Sequence, residues 1–224
     1  MKPWLPILLS ANAGYVDTAG FLALQGLFTA HVTGNFVTLG AALAFGTSGV
    51  IAKLIALPVF CAVVAVVRLS GYVLNSRGSA HLNVLLGTKL ILLITGAALA
   101  VRLGPFTNGD EWPAMLTGMV LVSAMAVQNA TQRLHLGSVP PTTIMTGNTT
   151  QVMIDLIDLI RGAGDDAVRF RFVSICANIG AFAIGCGAAA LLYVVAHMWC
   201  FAVPPLVAAL IILLRPRYGA QKSG

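Results

Sequence analysis

Apolar residues fill the chain in eight runs, at about 4–24, 28–47, 50–74, 82–103, 113–130, 139–160, 170–195 and 197–214. Each is long enough, or nearly so, to cross a bilayer core of about 30 Å as a helix. The apolar positions follow no two-residue alternation, so the pattern predicts an all-helical bundle. Two runs are irregular. The second, containing "TAHVTGN" (29–35), and the sixth, containing "TTIMTGN" (142–148), both open with small, polar or proline residues where a spanning helix favours leucine.

Those two irregular runs belong to a longer internal match. Sliding the sequence by 113 positions aligns "LLSANAGYVDT" (8–18) with "LVSAMAVQNAT" (121–131) and, without a gap, the two motifs. Nine of the 29 columns from 7/120 to 35/148 are identical, among them Ser10/Ser123, Thr18/Thr131, Thr29/Thr142, Thr33/Thr146, Gly34/Gly147 and Asn35/Asn148. The chain reads as a duplication within one membrane domain (1–224), its halves 1–110 and 111–224, each with four apolar runs. The short apolar stretch before "ANA" (11–13) resembles a secretory signal, but its counterpart lies mid-chain, so the first run is expected to be kept as a span.

Composition supports this picture and excludes others. Of the 224 residues 58% are hydrophobic and 9% charged, and the mean hydropathy is +0.90, far from soluble usage. The net charge of +6 comes from Lys and Arg spread near the ends of the apolar runs, which fits orientation in a membrane rather than nucleic-acid binding. The four cysteines lie within apolar runs without metal-ligand spacing and are expected to be small buried hydrophobes.

Charge counting allows two topologies. With eight full spans, Lys2, Lys53, Arg102, Arg161, Arg169, Arg171, Arg215, Arg217 and Lys222 face the cytoplasm, against Arg68, Arg77 and Arg133. If the second run of each half dips in and returns, Lys2, Arg68, Arg77, Arg133, Arg161, Arg169, Arg171, Arg215, Arg217 and Lys222 face it, against Lys53 and Arg102. Both obey the positive-inside rule and put both termini in the cytoplasm. The second is favoured, because the breaks recur at the same place. It gives six transmembrane helices plus two re-entrant or broken helices, in two inverted repeats, the arrangement of many secondary transporters.

A broken helix in a membrane must be buried in protein or line water. Thr29, Thr33, Gly34 and Asn35, with Thr142, Thr146, Gly147 and Asn148, are therefore candidate solute-binding residues. Helix N-termini at these motifs would favour an anion or a polar oxygen. The same residues could instead cap and pack two helices. Asp17, an acid inside the first run, is a candidate coupling group, with His31 as a possible tuner near neutral pH. Lys89, within the fourth run, either snorkels or pairs with an acid such as Asp17. Asp155 and Asp158, three apart, suggest an interfacial salt-bridge cluster with Arg161 and the loop "RGAGDDAVRFR".

No G-x-S-x-G, H-E-x-x-H, P-loop or cysteine–histidine spacing occurs, so neither an enzyme nor a cofactor nor a metal site is expected. The expected partners are the lipid bilayer and a small solute of unknown identity, and the many small residues are compatible with a homodimer.

Asn12, Ala13, Gly14, Tyr15, Val16 and Asp17, followed by Thr33, Gly34 and Asn35, resemble the YoaK-like family of bacterial inner-membrane proteins, a domain of unknown function. The "TGN" at 146–148 extends the likeness to most of the chain. The resemblance implies six spans and a bacterial inner-membrane location. It implies no substrate or activity, which leaves two readings: a transporter or channel for a small polar or anionic solute, or an accessory or scaffold membrane protein.

Overall fold

In a computed structural model, which describes residues 4–73 and 79–214, the chain is helical and no strand occurs among the described residues. The helices are α1 (Trp4–Ala23), α2 (Gly34–Phe45), α3 (Val50–Val73), α4 (Ser79–Leu103), α5 (Trp112–His135), α6 (Met145–Ile160), α7 (Asp166–Ala196) and α8 (Val203–Leu214), with a 3-10 turn at His197–Ala202 between the last two. Lys2, Arg77, Arg215, Arg217 and Lys222, used in the charge counts, lie outside the described residues.

Four stretches are long and apolar enough to cross a bilayer: 50–72, 80–103, 112–135 and 166–214, the last passing through the 3-10 turn. There His197 adopts a positive φ of 47°, which breaks the helix between the seventh and eighth apolar runs. The second and sixth runs are not continuous helices. Their helical parts have 12 and 16 residues, about 18 and 24 Å at 1.5 Å per residue, short of the bilayer core. Other boundaries also move. α5 continues past 130 to His135, because buried Gln132 turns its amide onto the carbonyls of Leu136 and Val139 at 2.8 and 3.2 Å and so satisfies the helix end. α7 begins before 170, where the Asp165 carboxylate accepts from Val168 N–H at 2.9 Å as an N-cap.

α1 is the central helix. It packs along α7, and α5 packs along α3 and α4; α2 lies on α3, α6 on α7, and α8 on α1 and α4. The α1–α7 approach depends on Gly14 and Gly185. A Cβ on either would overlap a backbone carbonyl of the other helix, that of Phe182 or of Ala11, so only glycine lets the two backbones meet. The main core gathers around α1 and α5, with Val16, Ala19, Leu121, Val122 and Met125 buried beside Phe201 of the 3-10 turn.

The ends of the bundle are pinned by polar groups. At one end, between α4 and α5, the Asp110 carboxylate accepts from the N–H groups of Gly49, Val50, Ile51 and Ala52 at 2.9, 3.1, 2.7 and 3.3 Å, and so caps α3. Nearby, Gln25, just beyond α1, donates to Phe106 O at 2.9 Å. Burial pushes the Asp110 carboxyl up, but the four amides outweigh it and hold it below its ordinary value. At the opposite end His81 and His135 share a 2.9 Å hydrogen bond, and a cavity of about 210 Å³ brings Pro6 of α1 beside Val139 and Phe170. α1 and α5 therefore run antiparallel. The cysteines do not match the expectation of burial: Cys200 is buried and Cys186 half-buried, but Cys61 and Cys176 are exposed on outward helix faces. An outward face of a helix apolar enough to span a membrane needs only apolar character, which cysteine supplies.

Candidate functional site

In the first half the chain leaves α1 at Ala23 and turns through Gln25 and Gly26, with φ of 55° and 80°. It then comes back alongside α1. Asp17 Oδ1 accepts from the N–H groups of Thr29, Ala30 and His31 at 2.8, 2.7 and 3.4 Å and from the Thr29 hydroxyl at 3.3 Å. Asp17 Oδ2 pairs with His31 Nδ1 at 3.0 Å. Since Asp17 precedes the α1 terminus by six residues, the returning chain lies about 9 Å back along the helix. Asn35, in the first turn of α2, then closes the loop in both directions. Its Nδ2 donates to Phe28 O at 2.9 Å, and its Oδ1 accepts from Phe28 N–H at 2.8 Å.

The second half repeats the plan with other residues. Asn148 Nδ2 donates to Pro141 O at 2.8 Å, again seven positions upstream, but Pro141 has no N–H to return. The place of Asp17 is taken by two amides of α5. Gln128 Nε2 donates to the Thr142 hydroxyl at 3.0 Å, and the Thr143 hydroxyl donates to Asn129 Oδ1 at 2.7 Å. Both loops are thus tied back to the helix that precedes them, the first by a carboxylate and the second by neutral side chains.

The predicted site residues therefore divide. Thr29, Asn35, Thr142 and Asn148 are buried in these hydrogen-bonded loops. Thr33, Thr146 and Gly147 are exposed and Gly34 is half-buried; Thr33 makes no side-chain cap bond to α2. Asp17 and His31 are brought together, the acid buried and the imidazole 39% exposed. A cavity of about 430 Å³ reaches the second motif, lined by Gly147, Asn148, Gln151, Pro141, Arg133 and Arg171. No residue of the first motif lines it.

Three further side chains matter. Lys89 does not pair with Asp17: it is buried in α4 and donates to Gln128 Oε1 at 2.5 Å. Gln128 also donates to Leu9 O at 3.1 Å, so one amide joins α1, α4, α5 and the second loop. Asp155 is fully buried and takes both Arg171 Nε and Arg171 Nη2, at 2.9 and 2.6 Å, with Gln151 at 2.7 Å. Its cation is Arg171, the last residue of the charged stretch "RGAGDDAVRFR" expected to join it, here carried on α7. Asp158 is half-buried and lines a groove on the outer side of α6; like Asp165 it reaches Arg171 through charge alone, without a hydrogen bond. Positions three apart differ by about 60° around a helix, enough to separate an inward from an outward side chain. A lysine and a glutamine in mid-run were the available signals for the Lys89–Gln128 pair, but spacing does not show that they meet.

No curated protein and no solved structure matches the chain. Residues 5–214 match the DUF1275 family, described as a protein of unknown function, and the chain belongs to that family.

Proposed function

We propose that the protein is a bacterial inner-membrane transporter or channel for a small polar or anionic solute, built from two inverted halves (1–110 and 111–224) with six spans and two re-entrant hairpins. The observation that carries this reading is the recurrence, in both halves, of a hairpin folded back along its preceding helix and closed by an asparagine on the carbonyl seven residues upstream. Irregular backbone at membrane depth is the usual substrate-site architecture of inverted-repeat transporters. The packing supports the inversion, since α1 lies on α7 as α5 lies on α3, and α2 on α3 as α6 on α7. So does charge. Arg68, Arg133, Arg161, Arg169 and Arg171 belong to the end that holds the α5 C-terminus, whereas Lys53 and Arg102 belong to the Asp110 end. By the positive-inside rule the first end is cytoplasmic.

The second reading is an accessory or scaffold membrane protein, favoured by one observation: the Asn35 and Asn148 amides are spent on their own loops. Flux in proteoliposomes separates the two. A panel of radiolabelled or fluorescence-detected small anions and neutral polar solutes is expected to give protein-dependent uptake of at least one. Uptake no faster than in empty liposomes, with well-folded protein, would leave the scaffold reading.

A further inference from the structure

The buried interior of α4 holds a lysine for which the described residues provide no counter-charge. Lys89 is 1% exposed. Its hydrogen-bond acceptor is the neutral Gln128 Oε1, and the ion pairs among the described residues are His31–Asp17 and Arg171–Asp155. An ammonium offers three N–H donors, so two are left over at a depth where an ionised group without a partner is costly and marks function by default. A second, independent observation lies close by. On α1, Asn12 is 1% exposed and neither its amide nitrogen nor its amide oxygen has a hydrogen-bond partner; the Ser10 hydroxyl is likewise buried and unpartnered. Asn12 stands one helical turn from Leu9, whose carbonyl holds Gln128.

A chain of hydrogen bonds, passing through the Pro141–Thr142 backbone, links this interior to the wall of the second-motif cavity, which itself stops short of Lys89. The cavity at the second motif is lined by Arg133, Arg171 and Asn148. Asn148 holds Pro141 O, the adjacent Thr142 hydroxyl accepts from Gln128, and Gln128 accepts from Lys89. Arg171 is neutralised by Asp155, which leaves Arg133 to make the mouth positive.

We propose that Lys89 is the inner charge of an anion site reached through this arginine-lined cavity, and that its ligand is a small monovalent anion. The inference rests on the solute-transport reading and names its substrate class. The donors not already spent here, the remaining N–H groups of Lys89 and the unpartnered Asn12 amide, complete the coordination of an anion and repel a cation. A single buried positive charge matches one negative charge, and a dianion would remain uncompensated. In this conformation Gln128 Oε1 occupies the place of the anion on Lys89, and binding exchanges one acceptor for the other.

The test is thermal unfolding of the full-length protein in detergent, titrated with sodium chloride, nitrate or formate at ionic strength held constant with sodium gluconate, and separately with glycerol. Wild type is expected to show a saturable rise in Tm with at least one small anion. Lys89→Met should weaken that response by about 30-fold or more, as loss of a desolvated charge partner does, whereas Arg133→Gln should weaken it only a few-fold. Because Lys89→Met removes an uncompensated buried charge, it should unfold in gluconate no earlier than wild type. If that variant fails to insert, Lys89→Gln is read in its place with the same expectation. A full anion response in the neutral variant, or gluconate acting as well as the small anions, overturns the proposal. A response to glycerol alone overturns it while leaving polar-solute transport standing. A flat panel together with absent flux overturns both.

Discussion

Asn148 reaches back to the carbonyl of Pro141 at 2.8 Å, as Asn35 does to Phe28 at 2.9 Å. The asparagine of each Thr-Gly-Asn motif is therefore the latch of a hairpin. Its amide supplies the hydrogen bond that the broken backbone would otherwise lack, which explains polar residues in an apolar run.

The two latches differ in strength. Asn35 both donates to and accepts from Phe28, whereas Asn148 meets a proline and can only donate. Truncation should therefore cost more in the first half. Asn35→Ala is expected to lose about 2–3 kcal/mol and Asn148→Ala about 1 kcal/mol, since each buried hydrogen bond contributes about 1 kcal/mol and an orphaned backbone group adds to the loss. Unfolding of the purified single mutants in mixed micelles measures the difference. Equal losses would show that the reciprocal bond contributes nothing.

Asp17 anchors the first hairpin through three amides, one hydroxyl and one imidazole. Asp17→Ala orphans the amides and is expected to cost about 3 kcal/mol or more. His31→Ala removes one partner that is itself partly exposed and should cost about 1 kcal/mol or less. A double-mutant cycle reports how much of the loss is shared. If His31→Ala costs as much as Asp17→Ala, the ion pair rather than the amide cluster holds the loop.

Asp110 gives the bundle an acid-sensitive joint outside the spans. Its carboxyl is held below the ordinary 3.8 by the amides at the start of α3. A depressed carboxylate contributes stability that is fully present above its unfolded value and is lost as pH falls through its folded value. Stability should accordingly lose nothing to this group between pH 7 and about pH 5, and begin to fall below about pH 4. Asp110→Asn should be less stable at neutral pH and lack this acid step. Melting curves at a series of pH values test both, and an unchanged acid step in Asp110→Asn would assign it to another carboxylate.

What the sequence made legible follows from which residues act locally. Pro140 and Pro141 interrupt the sixth run by their own backbone chemistry, and the polar motifs marked both breaks, although Gly34 and Gly147 themselves lie in the first turns of α2 and α6. The first break is made upstream, at Gln25 and Gly26. Gln132 and Asp165 shifted helix ends because a buried amide and an N-cap look like ordinary polar punctuation in a hydropathy pattern. Lys89 was visible as a charge in an apolar run, but its partner Gln128 lies 39 positions away, and only the packing of α4 on α5 brings them together. Burial was the least legible property. In a bilayer the outward face of a helix is as apolar as the inward one, so Cys61 and Cys176 carry no mark of facing out.

The pairing of Asp155 with Arg171 makes a last, sharper prediction about the cavity. Asp155 is fully buried, and Arg171 covers it with two hydrogen bonds while its own side chain is 47% exposed along the cavity wall. Removing the arginine alone abandons a buried carboxylate, whereas removing both charges leaves an apolar contact between α6 and α7. Arg171→Met should therefore lower Tm clearly, and Arg171→Met/Asp155→Leu should recover most of the loss. The cavity makes a separate demand. With both charges gone, Arg133 remains as its cation, so if the mouth attracts anions through net charge alone, the double mutant should bind them as wild type does. If Arg171 is itself a ligand that leaves Asp155 for the anion, the double mutant should be stable and weakened in binding. Measuring Tm and anion titrations on the same two variants separates the pair's structural contribution from its part in recognition.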